Sequence, residues 1–199
     1  MLRRLKDRVM APVARWLGPA LSPNAVTVLA FLLGIAAAGA VYARHDALAL
    51  VLWFANRVLD GLDGTLARVH GRQTDFGGYL DIVLDFCVYA AIPAAIVLAS
   101  DSRPLAIAGF VLLASFYVNA ASWMYLAAIL ERRGRGASER GELTTVPMPA
   151  GLVAGAETIV LYAALLVMEQ WRVEVFLLMA ALVGVTIVQR MAWARRQLQ

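Results

Sequence analysis

The sequence predicts an all-α integral membrane protein, six transmembrane helices preceded by an amphipathic helix on the membrane surface. Three observations carry that expectation. Apolar residues make up 61% of the 199 positions, with a mean hydropathy of +0.70, whereas soluble domains run near 45–50% apolar. A bilayer-spanning helix needs about 20 mostly apolar residues, and such runs recur at roughly 24–44, 47–68, 74–99, 104–130, 149–168 and 172–192. Lys and Arg alternate between rich and poor loops, as they do in spanning proteins. The whole chain, 1–199, reads as a single membrane domain.

The N-terminal stretch "MLRRLKDRVMAPVARWLGP" is basic, but no short apolar run with a small-residue cleavage site follows it. It therefore does not read as a cleavable signal peptide. Over 2–17, Leu2, Leu5, Val9, Val13, Trp16 and Leu17 fall near one helical face, with Arg3, Arg4, Lys6, Arg8 and Arg15 elsewhere. That pattern suits a helix lying on an anionic membrane surface. "LSPN" (21–24) opens the first span, with Ser22 or Asn24 as its N-cap. Asp75 suits the first turn of the third span. "DSRP" (101–104) separates the third from the fourth, and "ERRGRGASERGELTTVPMPAG" (131–151) is the longest and most polar loop.

With the N-terminus inside, inner segments hold 14 of the 18 Lys and Arg, and the outer side only Arg44, Arg103 and Arg172. This split places both termini, and the turn between spans two and three, in the cytoplasm of a cell whose inner or plasma membrane holds the protein. The net charge of +4 then reflects contact with membrane lipids, and no nucleic-acid partner is implied. Cys87 is the single cysteine, so there is no internal disulfide and no Cys-based metal cluster. Trp16, Trp53, Trp123, Trp171 and Trp193 read mostly as interface anchors, and His45 and His70 as loop residues.

Against this apolar background, "LDGLDGTLARVHGRQTDFGGYLDIVLD" (59–85) carries five aspartates. Counted from Arg68, Asp63 and Asp60 lie roughly 8 and 12 Å into span two; counted from Thr74, Asp81 and Asp85 lie roughly 10 and 16 Å into span three. Asp60 and Asp63 are i, i+3 and Asp81 and Asp85 are i, i+4, so each pair shares a face. Four carboxylates thus converge at one depth below the inner surface. Ionised and unpaired, they are costly in low dielectric, so protons or cations must neutralise them. Oxygen donors suit hard ions, Mg²⁺ or Mn²⁺, and two divalent ions cancel four charges. Two-metal sites clamp phosphoryl groups during displacement. Gly64, Ala67, Gly77 and Gly78 keep the aspartate faces small, either for a bulky ligand or for close helix packing.

The spacing Asp60-x2-Asp63-Gly64-x2-Ala67-Arg68-x8-Gly77-x3-Asp81-x3-Asp85 matches all eight fixed positions, over 26 residues, of the signature of CDP-alcohol phosphatidyltransferases, a family this chain resembles. Six spans, the helix before them and an "SPNAVT" opening to the first extend the likeness over nearly the whole chain. The resemblance implies attack of an alcohol on the β-phosphorus of a CDP-linked donor, CDP-diacylglycerol, with release of CMP. It implies Asp60, Asp63 and Asp81 as metal ligands and Asp85 as the general base, which also touches the second metal. Gly64, Ala67 and Arg68 would contact the cytidine diphosphate, with Gly77 leaving room, and the protein would be a homodimer.

Weaker signals surround this core. Arg57 and Glu157 are intramembrane charges, and Arg57 is expected to pair with Glu157 or with Asp60. Asn119 and Ser122, at i, i+3, line the acceptor site or bond another helix. Arg132, Arg133, Arg135 and Arg140 recruit an anionic acceptor or contact the inner leaflet. The small alcohol acceptor is not set by the sequence. Two rival readings use the same aspartates: a Mg²⁺-dependent membrane prenyltransferase and a divalent-cation transporter. The crowding of acidic groups into the inner half of the spans disfavours the transporter.

Overall fold

In the computed structural model, residues 2–18, 20–134 and 155–198 are described. Every regular element among them is helical: α1 (Leu2–Leu17), α2 (Pro23–Tyr42), α3 (Asp46–Val69), α4 (Asp75–Leu98), α5 (Arg103–Arg132), α6 (Gly155–Val167) and α7 (Arg172–Leu198), with a 3₁₀ turn at Glu169–Trp171. The start of the fifth predicted span and the arginines Arg135 and Arg140 lie outside the described residues. Among the described residues, four segments are long and apolar enough to cross a membrane: α2, α4, α5, and α7 with its preceding 3₁₀ turn. α3 has the length but not the hydropathy, because it carries Asp46, Arg57, Asp60, Asp63 and Arg68.

Helix starts follow their capping residues. Ser22 is the N-cap of α2, with Pro23 at the first helical position, where its missing N–H costs nothing. Thr74 caps α4, its hydroxyl oxygen accepting the Gly77 amide at 3.0 Å, and Asp75 sits in the first turn as expected. Ser102 caps α5 by accepting the Leu105 amide at 3.4 Å. The α2–α3 turn is closed by Arg44, which adopts φ 60° and donates to the Ala99 carbonyl at the end of α4.

The chain divides into two compact units, 1–100 and 101–199. In the first, α2 packs along both α3 and α4, while α3 and α4 approach each other far less closely. α1 docks onto α3: Ala14 is buried with Val26, Leu62 and Leu66, and Met10 and Leu17 pack against the same cluster. His70, at the C-cap of α3, bonds the Ala14 carbonyl through Nε2 at 3.0 Å. So the inward stripe of α1 runs through Met10, Ala14 and Leu17, while Val13 and Trp16, predicted on one face with Leu17, are exposed. The i, i+4, i+7 set meets the protein, and the neighbouring positions are left for the surroundings.

In the second unit α5 and α7 pack side by side. Leu112, Leu126 and Leu130 on α5 and Phe176, Met179 and Val183 on α7 are buried. The α6–α7 corner is fastened by Arg172, whose Nε donates to the Leu165 carbonyl at 2.9 Å and whose Nη1 meets Glu169 at 3.4 Å.

Candidate active site

The site begins with a glycine. Gly34 lies mid-way along α2, and a Cβ placed there would sit 2.5 Å from Val88 Cγ2 of α4 and 3.1 Å from Asn56 Nδ2 of α3. The close approach lets α2 press against both helices at once. Because α2 occupies that position, a cleft is left between α3 and α4, lined by Thr27, Asn56, Asp60, Asp81 and Asp85 among others.

Asp60, Asp81 and Asp85 each place a carboxylate oxygen within 4.8 Å of the others. All three are half-buried. Asp63, predicted on the same face as Asp60, is buried but turned aside: its Oδ2 accepts from the Thr27 hydroxyl at 2.6 Å, and its Oδ1 accepts from the Gly64 amide. So the described geometry brings together three of the four expected carboxylates and holds the fourth one turn away on α2's threonine.

Arg57 is buried beside them. Its Nη2 donates to Asp85 Oδ1 at 2.7 Å, and its Nη1 lies 3.8 Å from Asp60 Oδ2 and donates to the Tyr89 hydroxyl at 2.8 Å. Its Nε donates to Asn56 Oδ1 at 2.6 Å, and Asn56 Nδ2 in turn donates to the Ala30 carbonyl of α2 at 2.7 Å. The guanidinium carbon lies 4.7 Å from the Trp53 ring centroid and 5.0 Å from that of Tyr89. Of the two partners expected for Arg57, Asp60 is present, and Asp85, not anticipated, is closer; Glu157 stands exposed in the first turn of α6. Trp53 is not an interface anchor, since it is fully buried as one wall of this cage. An aromatic face next to a buried cation is a favourable pairing, so the tryptophan serves the charge rather than the headgroups.

The remaining signature residues sit nearby. Arg68 folds back over Gly64: its Nη2 donates to Thr65 Oγ1 at 3.3 Å, and a Cβ on Gly64 would lie 3.1 Å from its Nη1. Ala67 is half-buried on α3. A Cβ on Gly77 would meet Asn24 Oδ1 and Thr74 Oγ1, both at 3.0 Å. The small residue there accommodates the helix cap and the α2 start, and Asn24 faces α4 instead of capping α2. In the second unit, Asn119 accepts Arg190 Nη1 at its carbonyl (3.1 Å) and at its side-chain oxygen (2.8 Å), leaving the buried Arg190 Nε without a bond. Sequence reasoning counted Arg190 only as a cytoplasmic charge. Arg132 and Arg133 are exposed, and Arg133 Nη1 donates to the Leu198 carbonyl at 3.1 Å.

Three carboxylates, with a fourth close by, face one guanidinium. The surplus of negative charge and the all-oxygen donor set fit a hard divalent cation. The sequence profile of the CDP-alcohol phosphatidyltransferases matches residues 20–190 of this chain, the segment that holds every one of these groups. The chain belongs to the CDP-alcohol phosphatidyltransferase family. It is thus an enzyme of phosphatidyl transfer to a hydroxyl acceptor and an integral membrane protein.

The chain is 34% identical over 153 residues to the inner membrane protein YnjF of Escherichia coli (strain K12), covering 77% of this chain and 73% of that one. Its fold is that of the Mycobacterium tuberculosis phosphatidylinositol phosphate synthase solved with CDP-DAG bound, at a TM-score of 0.73 and 24% identity over 94% of each chain. The crystal structure of that synthase with manganese and citrate gives a TM-score of 0.72 at 24% identity, over 93% of this chain and 88% of the other.

Proposed function

We propose that this phosphatidyltransferase takes CDP-diacylglycerol as donor and a small alcohol as acceptor, and works from the cytoplasmic side of a bacterial inner or plasma membrane. The observation that carries the reading is the cluster of Asp60, Asp81 and Asp85 oxygens within 4.8 Å of one another, inside helices whose other faces are apolar. In the reaction the acceptor's hydroxyl oxygen forms a bond to the donor's β-phosphorus, the bond from that phosphorus to the bridging oxygen breaks, and CMP departs with that oxygen. Asp85 takes the hydroxyl proton. Asp60, Asp63, Asp81 and Asp85 would hold two divalent cations, Mg²⁺ or Mn²⁺, which neutralise the diphosphate and ease departure of CMP when bound. Gly64, Ala67, Arg68 and Gly77 border the place of the cytidine diphosphate. Asn119, Glu157, Arg132 and Arg133 are the groups proposed to serve the acceptor or to support it.

The same reading extends to topology. The chain is one membrane domain over 1–199 with six spans, α3 and α6 completing the four that length and hydropathy select. The outward residues of α1, Val13 and Trp16, suit contact with the inner leaflet. Both termini are cytoplasmic, and the working form is a homodimer.

The test is release of CMP on mixing purified protein with CDP-diacylglycerol and a panel of acceptors, among them serine, glycerol phosphate and inositol phosphate, with product lipids identified by mass. CMP release is expected only with a divalent cation present and with the right acceptor. A prenyltransferase or a cation transporter would release none. Asp85→Asn is expected to lower kcat by about 10²–10⁴-fold, the usual weight of a general base; near-normal turnover would remove Asp85 from that role.

A further inference from the structure

We infer that Arg57 is a positioning residue that fixes the carboxylate of Asp85 through a lock anchored on α2. The inference rests on the reading of Asp85 as the base. Four observations meet at this one side chain. Arg57 Nε is spent on Asn56 Oδ1 at 2.6 Å, and Asn56 is itself held by the Ala30 carbonyl at 2.7 Å. Nη1 is spent on the Tyr89 hydroxyl at 2.8 Å. The rings of Trp53 and Tyr89 lie 4.7 and 5.0 Å from the guanidinium carbon. Nη2 then reaches Asp85 Oδ1 at 2.7 Å across the cleft.

A planar fork held at Nε and Nη1 has a fixed direction for Nη2, and that direction fixes the oxygen it meets. With Oδ1 engaged by the guanidinium, Oδ2 is the more basic oxygen and the one the inference assigns to the acceptor's proton. The lock therefore selects which oxygen acts and where it lies. Displacing a reacting group by about 1 Å can cost about 10²-fold in rate. Two simpler roles are available for a buried arginine here. Arg57 would be only a counter-charge for the acidic cluster, in which case any cation of similar reach serves. Or it would be only a strut between α3 and α4, in which case its loss damages the whole site.

Arg57→Lys and Arg57→Gln, made in the full chain and purified in detergent or nanodiscs, separate these roles. Lysine keeps the charge but has no fork and no Nε. Two quantities are read: turnover with CDP-diacylglycerol and whichever acceptor supports the wild type, and Mn²⁺ affinity by electron paramagnetic resonance without substrate. For Arg57→Lys, kcat is expected to fall about 30–100-fold with Mn²⁺ affinity within about three-fold of wild type, a loss of the size a displaced group gives. For Arg57→Gln, kcat falls at least as far while Mn²⁺ binds more tightly, since a competing cation has gone. Arg57→Lys turning over within two-fold of wild type overturns the positioning role and leaves the counter-charge. Loss of Mn²⁺ affinity together with turnover in both variants overturns it in favour of the strut. Asp85→Asn distinguishes the levels: if that variant retains turnover, the reading of the base fails; if it is inactive while Arg57→Lys is fully active, only the lock fails.

Discussion

Each of the two units buries charge, and they do so in opposite ways. In residues 1–100 one group of buried and half-buried charges gathers at a single place: Arg57 touches Asp85 and Asp60, Asp81 lies with them, and Asp63 is held by a threonine. Among the described residues of 101–199 the buried charges are Arg172 and Arg190, and each bonds one backbone carbonyl and one side-chain oxygen, Glu169 for Arg172 and Asn119 for Arg190, with no cluster of carboxylates around either. An arginine bonded in this way ties two segments together and gathers no surplus of negative charge. A group of carboxylates outnumbering its one guanidinium carries a negative surplus that protons or a cation must balance. Burial of charge alone therefore does not mark a site; the sign balance within the cluster does.

The largest expected effect that tests this contrast is on metal binding. Asp81→Asn should weaken Mn²⁺ binding more than about 100-fold, past the 10–100-fold typical of losing a residue that merely supports a ligand. A resonance titration that finds unchanged affinity would make the acidic cluster as inert as the arginines of the second unit. Next comes Arg172→Ala, expected to cost about 1.5–3 kcal/mol of stability through the lost Leu165 bond. Thermal unfolding should record that loss while turnover of the folded fraction stays within two-fold; a fall in turnover at constant stability would give the second unit chemistry. Gly34→Ala tests the packing that frames the cluster of the first unit. Its Cβ would meet Val88, so overpacking of about 1–3 kcal/mol is expected, and because the same contact spaces α3 from α4, turnover should fall as well. Thr74→Ala is the smallest, about 1 kcal/mol for a lost N-cap, read as a lowered Tm with little change in kcat.

The helices were legible because their ends carry local chemistry. Ser22-Pro23, Thr74-Asp75 and Ser102-Arg103-Pro104 announce their starts within a residue or two. The acidic cluster was legible for the same reason: i, i+3 and i, i+4 spacing lies within one helix, and the turn between α3 and α4 is short. What escaped depended on partners distant in the chain. Thr27 takes Asp63 from 36 residues away, and Arg190 reaches Asn119 from 71. Neither bond leaves a periodic trace. Trp53 read as an anchor because tryptophan favours interfaces, yet the cation one turn along the helix decides its place. The part of α1 that meets the protein was not legible: Ala14 and Met10 dock with Leu17, while Val13 and Trp16 of the expected apolar face stay exposed. Apolar residues occupied more than half its circumference, and only docking on α3 chose among them.

The position of α2 has one more consequence. A helix that holds two others apart acts as a ruler for whatever enters between them. The width it sets depends on Gly34 meeting Val88, an apolar contact whose valine also lines the cleft. Bulk added or removed at that pair would change the girth of the molecules admitted while every reacting group kept its identity. Exchanges at this apolar contact would thus alter what the cleft admits without altering any carboxylate in it.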